Sequence, residues 1–320
     1  MAEYSRAGLT RSSAGAAPAA YWVAVLPPLF WSGNFLIARL IRDDIPPIQM
    51  SFWRWLLAFL ILLPFIWRPT RRDWTRIQRQ LPFLALLGAV GVTAFNCFIY
   101  TALHHTTVVN AALVNALLPV VTILIARVLL GQLVAPRRAV GILVSLVGAA
   151  LVITRGDLIS LAHFSISRGE VLVFIGMSFW AFYTVLIRWR PPGLEALSLL
   201  GVTAAFGVLF HVPFVLAETN AVGTFVPTPR IAFGLLYFAV FPSILAYVCW
   251  NRSVATLGPA TTGMFMHLLP VFSAGLAAVF LGERLAWFHP VAFVVIIAGI
   301  ALATTNSPLH PRAKQHGTGA

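Results

Sequence analysis

Ten runs of mostly apolar residues, separated by short polar stretches, organise this chain of 320 residues. They fall at 21–40, 46–67, 81–103, 107–130, 137–154, 168–189, 195–217, 230–250, 259–281 and 286–305. An α-helix of about 20 such residues spans the hydrocarbon core of a bilayer, so each run is read as one crossing. The longest polar intervals are about 155–167 and 218–229, which leaves no room for a soluble catalytic or nucleotide-binding domain. The pattern predicts an all-α polytopic membrane protein.

The runs are also duplicated. Leu117-Leu118-Pro119-Val120 returns as Leu268-Leu269-Pro270-Val271, Leu130-Gly131 as Leu281-Gly282, and Gly148 as Gly299, all at an offset of 151 residues. Between 117 and 154 the gapless comparison gives 15 identities in 38 positions; about four are expected by chance from so apolar a composition. Five runs lie in each half. An odd number of crossings per copy turns the second copy over in the membrane, so the expected arrangement is a 5+5 inverted repeat with a binding site between the halves. The domain plan is a tail at 1–20, a first repeat at 21–154, a connector at 155–167, a second repeat at 168–305 and a tail at 306–320.

Composition agrees: 59% of residues are hydrophobic, 10% are charged, and the mean hydropathy is +0.88. The net charge of +13 would suggest a nucleic-acid partner in a soluble protein. Its distribution points to a membrane instead. With the N-terminus in the cytoplasm, fifteen cations lie inside, including Arg68, Arg71, Arg72, Arg76 and Arg79, and six lie outside. Asp43, Asp44, Asp157, Glu170, Glu218 and Glu283 are outside as well. The positive-inside rule therefore places both termini in the cytoplasm, and no basic patch is left for nucleic acid. Segment 68–80, with Trp67, Trp74 and Ile77 among its arginines, reads as an interfacial strip against anionic headgroups. The small-residue run Ala14 to Ala20 precedes the first apolar run rather than following it, so that span is read as retained and not as a cleaved signal.

Ionisable groups within spans are costly and are functional candidates for that reason. Arg54 is the one charge well inside, roughly 11 Å from the outer end of its span. It either snorkels to Asp43 or Asp44 or holds a substrate carboxylate. No acid lies deep in a span, so proton coupling would use a histidine, with His211 and His267 available. His104-His105 lacks further ligands for a metal, and Cys97 and Cys249 read as packing residues. No cofactor or metal site is expected.

Pro119 and Pro270 occupy the middles of spans four and nine. Each should bend its helix and free a carbonyl, those of Asn115 and Met266, so both spans are expected to line a wet cavity. Asn34 and Asn115 are pathway candidates, while Asn96 and Asn110 suit either the pathway or interhelical bonding. Trp31 in Leu29-Phe30-Trp31-Ser32 is answered by Trp180 in Ser178-Phe179-Trp180-Ala181. With Tyr100, Tyr183, Tyr247 and Trp250 these rings either pack or line a cavity for apolar and aromatic solutes. Gly141, Ser145 and Gly148 allow close helix approach, either inside the chain or at the face of a homodimer.

At these residues the chain resembles the drug/metabolite transporter superfamily, in particular its ten-span EamA-type members. The resemblance rests on Arg54 followed by Leu56-Leu57-Ala58, the doubled Leu-Leu-Pro-Val, Leu281-Gly282-Glu283, and the Gly148 and Gly299 segments. It implies small-metabolite transport across a bacterial inner membrane, often outward, in a family whose solutes range from amino acids to nucleobases, sugars and cationic drugs; Arg54 and the mid-span aromatics make amino acids the leading class here, with drugs or organic cations as the alternative. Gln132 departs from the pattern, which has a glutamate there as at Glu283. An intramembrane enzyme is disfavoured, since the sequence has no HExxH, no deep aspartate pair and no serine with a neighbouring base. A sensor or assembly protein without flux would have a dry interior. The expected substrate-site residues are Trp31, Asn34, Arg54, Tyr100, Asn115, Trp180, Tyr183, Tyr247 and His267, with kinks at Pro119 and Pro270.

Overall fold

The computed structural model describes residues 16–41, 44–102, 105–106, 108–131, 134–164, 166–282 and 284–304. Gln132, Glu283 and Asp43 lie outside them. Among the described residues there are helices and no strands. Eight helical stretches among the described residues are long and apolar enough to cross a membrane. Helix α1 (Ala16–Ile41) and the shorter α15 (Phe288–Thr304) are apolar too.

Helix α2 (Pro47–Arg72) begins with proline at its first position, where no amide hydrogen is missed. The Glu218 carboxylate accepts from the Ile48 and Gln49 amides at 3.1 and 2.8 Å, capping the positive end of that helix. Glu218 belongs to α10 (Ala196–Val222), so the cap also fastens α2 to the helix packed along it. A short α3 (Trp74–Arg79) leads into α4 (Leu81–Gly88).

Two spans contain a π-helical turn at matching repeat positions. Ala89–Ala94 separates α4 from α5 (Phe95–Ala102), and Ala239–Leu245 separates α11 (Pro229–Phe238) from α12 (Ala246–Leu257). Pro242, inside the second turn, lacks an amide hydrogen, and the Ser243 hydroxyl donates to the Phe238 carbonyl at 2.8 Å.

The two proline spans are interrupted. Helix α6 (Val108–Asn115) stops and α7 (Leu118–Leu130) restarts with Pro119 at its second position. In the second copy, α13 (Pro259–Met264) passes through a 3₁₀ turn, Phe265–Leu268, into α14 (Leu269–Leu281), again with proline second. Both restarted helices end in a left-handed glycine, Gly131 at φ 63° and Gly282 at φ 67°, a conformation that costs glycine little. The freed carbonyls differ from expectation. Met266 is satisfied locally by the Leu269 amide, because the 3₁₀ turn closes over it. The carbonyl that takes a side chain from the other half is that of Ala116.

Helices α8 (Pro136–Ile153) and α15 pack along each other. A Cβ on Gly299 would lie 2.6 Å from the Gly141 carbonyl and 2.5 Å from the Ser145 nitrogen. The small-residue stripe is thus a seam within the chain, with backbone approaching backbone. Helix α9 (Arg168–Leu186) opens with a capping box made by Ser167 and Glu170.

Candidate functional site

Aromatic rings meet where α1, α2, α5, α9 and α12 come together. Trp31 and Trp180, the repeat-related pair, stand edge to face at 5.3 Å between ring centroids. Trp180 also stacks on Tyr183 at 5.1 Å and contacts Tyr247 at 5.0 Å, Trp250 at 5.5 Å and Phe95 at 5.1 Å. Offset and edge contacts of this type contribute about 0.5–1.5 kcal/mol each beyond the area they bury. Trp180, Tyr183, Tyr247 and Trp250 are fully enclosed, so in this conformation the rings touch one another rather than an open space.

The polar ends of these rings satisfy the irregular backbone. Tyr247 donates its hydroxyl to the Gly91 carbonyl at 2.6 Å, and Trp31 donates its indole N–H to the Pro242 carbonyl at 2.9 Å. Positions 91 and 242 are 151 residues apart, so each π turn receives a donor at the same place. Glycine is required at 91 by contact as well: a Cβ there would fall 2.3 Å from the Tyr183 ring. Trp250 donates to Thr184 at 3.1 Å, and Tyr183 donates to Asn251 at 3.0 Å.

Beside the rings lies Arg54, 3% exposed. It donates through Nη1 to the Tyr100 hydroxyl at 2.9 Å, and its guanidinium lies 5.5 Å from the Trp55 ring centroid. Snorkelling to Asp44 is not what the structure has. The guanidinium is turned inward toward Tyr100, and Asp44 faces Arg230 at 3.8 Å. Arg54 Nε and the neighbouring Trp55 indole N–H are both buried without a hydrogen-bond partner. One turn earlier, the Ser51 hydroxyl donates to His211 Nε2 at 3.1 Å, since the Gly207 carbonyl at 2.9 Å fixes the ring proton on Nδ1. Two adjacent unsatisfied donors, one of them cationic, suit an anionic acceptor.

His267 stands apart from the rings. Its Nε2 donates to the Ala116 carbonyl at 2.9 Å, which leaves Nδ1 to accept from Ser145 at 2.7 Å. Ala116 and His267 are repeat-equivalent, so this imidazole bridges the two broken spans. Asn115 is half-buried next to it, and Asn34 has a buried, unpartnered Oδ1. Asn110 and Thr106 both donate to the buried Glu170 carboxylate, so Asn110 ties α6 to α9. Asn96 back-bonds to the Val92 carbonyl at 2.6 Å.

The structure therefore brings Trp31, Arg54, Tyr100, Trp180, Tyr183 and Tyr247 into one neighbourhood and leaves His267 in another. Sequence reasoning missed Trp55, Phe95, Asn251 and both π turns. A glycine and a proline at equivalent positions, Gly91 and Pro242, were the available signal for the turns. Among the described residues no group of histidines, cysteines and acids is arranged to hold a metal.

Comparison with known proteins agrees with this architecture. The EamA-like transporter family matches twice, over residues 18–154 and 167–305. A probable terminal-alkyne amino-acid exporter of Streptantibioticus cattleyicolor is 28% identical over 88% of this chain and 92% of its own length. The uncharacterized transporter YyaM of Bacillus subtilis is 26% identical over 86% and 90%, and the uncharacterized inner membrane transporter YedA of Escherichia coli K12 is 26% identical over 88% and 90%. A crystal structure at 19% identity superposes with a TM-score of 0.73 over 90% of this chain and 96% of that one, which shows a shared fold. Two family matches, one on each half of a chain rich in membrane-length helices, lead to one conclusion: this is a multi-pass membrane protein belonging to the EamA-like transporters of the drug/metabolite transporter superfamily.

Proposed function

We propose that the protein is an inner-membrane secondary transporter of ten spans in a 5+5 inverted repeat, with both termini cytoplasmic, that exports amino acids or related compounds by alternating access. The observation that carries this reading is the meeting of repeat-equivalent groups between the halves: Trp31 with Trp180, and Ala116 with His267. Contacts of that kind lie on the axis about which two inverted copies rock. In the conformation described the rings close the centre. The other conformation separates Trp31 from Trp180 and opens a space lined by Asn34, Tyr100, Asn115, Tyr183 and Tyr247. Arg54 holds the solute carboxylate, supported by its burial and its unused Nε, and the likeness to an amino-acid exporter supports the same class. The broken spans at Pro119 and Pro270 are the flexing points.

The test is release from proteoliposomes preloaded with labelled neutral amino acids or organic cations. Saturable, protein-dependent release of an amino acid is expected; no release of any member of that class sinks the assignment. One observation favours efflux of organic cations instead: the clustered ring faces around Trp180 suit cation–π contacts. Against it stands the positive charge of Arg54 over Trp55, which adjoins the same rings through Tyr247 and repels a cation in so buried a site.

A further inference from the structure

A second site lies at the far end of α2, remote in function from the aromatic centre. Short α3 is anchored by Ile77, which is fully buried, and so presents Thr75, Arg76, Arg79 and Gln80 along one wall of a cleft whose other wall is Pro191 and Pro192. The cleft is open to the surface and offers about 370 Å³. We propose that it binds the phosphate of an anionic phospholipid in the leaflet which that end of the bundle reaches.

Charge is the first argument. Residues 68–79 and 188–195 together hold seven arginines and two acids. Both acids are engaged by Arg72: Glu195 at 2.9 Å and Asp73 at 3.4 Å, with Arg76 sharing Asp73 at 3.7 Å. Arg188 turns away to the Val254 and Ala255 carbonyls, and Arg71 lies over Trp67. Among the described residues no carboxylate lies within ion-pair distance of Arg79. The cleft therefore carries an uncompensated guanidinium beside one that is weakly paired, and guanidinium pairs suit the planar, multi-acceptor geometry of a phosphodiester.

Shape is the second. Gly193 sits at φ 75° in the turn after the two prolines, and a Cβ there would come 3.1 Å from Arg76 Nη1. A bare glycine lets the Arg76 guanidinium lie against the turn and keeps it beside the cleft.

Depth selects a lipid over a soluble anion. Trp74 adjoins Thr75 in the cleft wall, Trp189 lies two residues before Pro191, and Trp67 lies in the last two turns of α2; their exposures are 46%, 47% and 56%. Half-exposed indoles of this kind mark the headgroup level of a membrane, and Phe65, 66% exposed, continues the apolar surface toward the acyl chains. A headgroup in the cleft leaves its tails on surface already suited to them. Nothing here depends on the transported solute, so the test stands apart from the flux assay.

The test uses the purified full chain in neutral detergent, titrated with dioleoylphosphatidylglycerol, dioleoylphosphatidylcholine or inorganic phosphate, and read by native mass spectrometry and thermal unfolding. Retained phosphatidylglycerol adducts and a raised unfolding temperature are expected, with much less from phosphatidylcholine. R76Q/R79Q should lose that preference, at about fivefold weaker binding per arginine removed. The charge-matched R127Q/R252Q, altered elsewhere, should keep it, and R79Q alone serves if the double variant folds poorly. Equal retention of the two lipids, or an R76Q/R79Q or R79Q protein with unchanged preference, overturns the site. Full protection by inorganic phosphate assigns the cleft to a soluble anion and overturns the lipid.

Discussion

The two halves share their backbone irregularities and differ in the side chains that serve them. A π turn recurs at 89–94 and 239–245, and a proline-restarted helix follows the break in both α7 and α14. At each turn the equivalent carbonyl takes a ring donor, yet the residue itself is Gly91 in one copy and Pro242 in the other. Arg54 has Thr203 as its counterpart, at the 149-residue spacing that also relates Trp31 to Trp180 and Pro64 to Pro213; Ala116 has His267 and Asn96 has Tyr247, at 151. Duplication kept the places where helices can bend and let the chemistry diverge. In the transporter proposed above, a doubled scaffold with an asymmetric centre would recognise a solute in one orientation only.

The largest way to break that comparison is at the shared ring contact. Trp180→Ala removes a side chain that touches five other aromatic rings, and should destabilise by about 3–5 kcal/mol, since the surrounding rings cannot collapse into the space. Trp31→Ala, at the half-buried counterpart, should cost less. Unfolding in mixed micelles measures both; equal losses would mean that the two copies contribute alike and that the asymmetry drawn here is wrong.

Arg54 comes next, and it tests function. Arg54→Gln should lower saturable export of a carboxylate-bearing solute by about tenfold to a hundredfold, the range for losing a charged hydrogen bond of about 1.5–3 kcal/mol. Moving the charge to the other copy, R54A/T203R, should not restore it, because Tyr100 and Trp55 belong to the first half alone. Unaltered flux in well-folded Arg54→Gln would remove the carboxylate anchor from the account.

The α8–α15 seam is where the copies are most alike. Gly299→Ala places a methyl within 2.6 Å of the Gly141 carbonyl, and overpacking of that kind costs about 1–3 kcal/mol. Gly141→Ala meets the Gly299 carbonyl at the same 2.6 Å and should cost a similar amount.

Much of this was legible in the sequence, for physical reasons that can be named. Membrane spans show because lipid demands long apolar runs, and the breaks at Pro119 and Pro270 show because proline cannot donate. The capping box could be read from Ser167-x-x-Glu170, although the Asn110 and Thr106 bonds to that carboxylate could not, since partners from another helix leave no trace in local spacing. The π turns were missed because an inserted residue leaves apolar periodicity nearly unchanged in a span apolar on most sides. The direction of Arg54 stayed open between the loop acids and the interior because spacing gives depth and not direction; of those acids Asp44 is taken by Arg230, and Asp43 lies outside the described residues. The choice between a seam and a dimer face at Gly141 needed the facing helix.

The smallest expected effect is at the axis and is also the sharpest. His267→Ala leaves the Ala116 carbonyl and the Ser145 hydroxyl without their imidazole partner. Interhelical hydrogen bonds in membranes are individually modest, so the loss should be about 1–2 kcal/mol. Adding A116H to that variant puts an imidazole at the equivalent place in the first copy. Full recovery would mean that the axis is chemically symmetric. Less than half is expected, because the counterpart of Ser145 is Ile296, which is buried and offers no hydroxyl, so the transplanted ring can regain at most the backbone bond and must bury its other nitrogen against carbon.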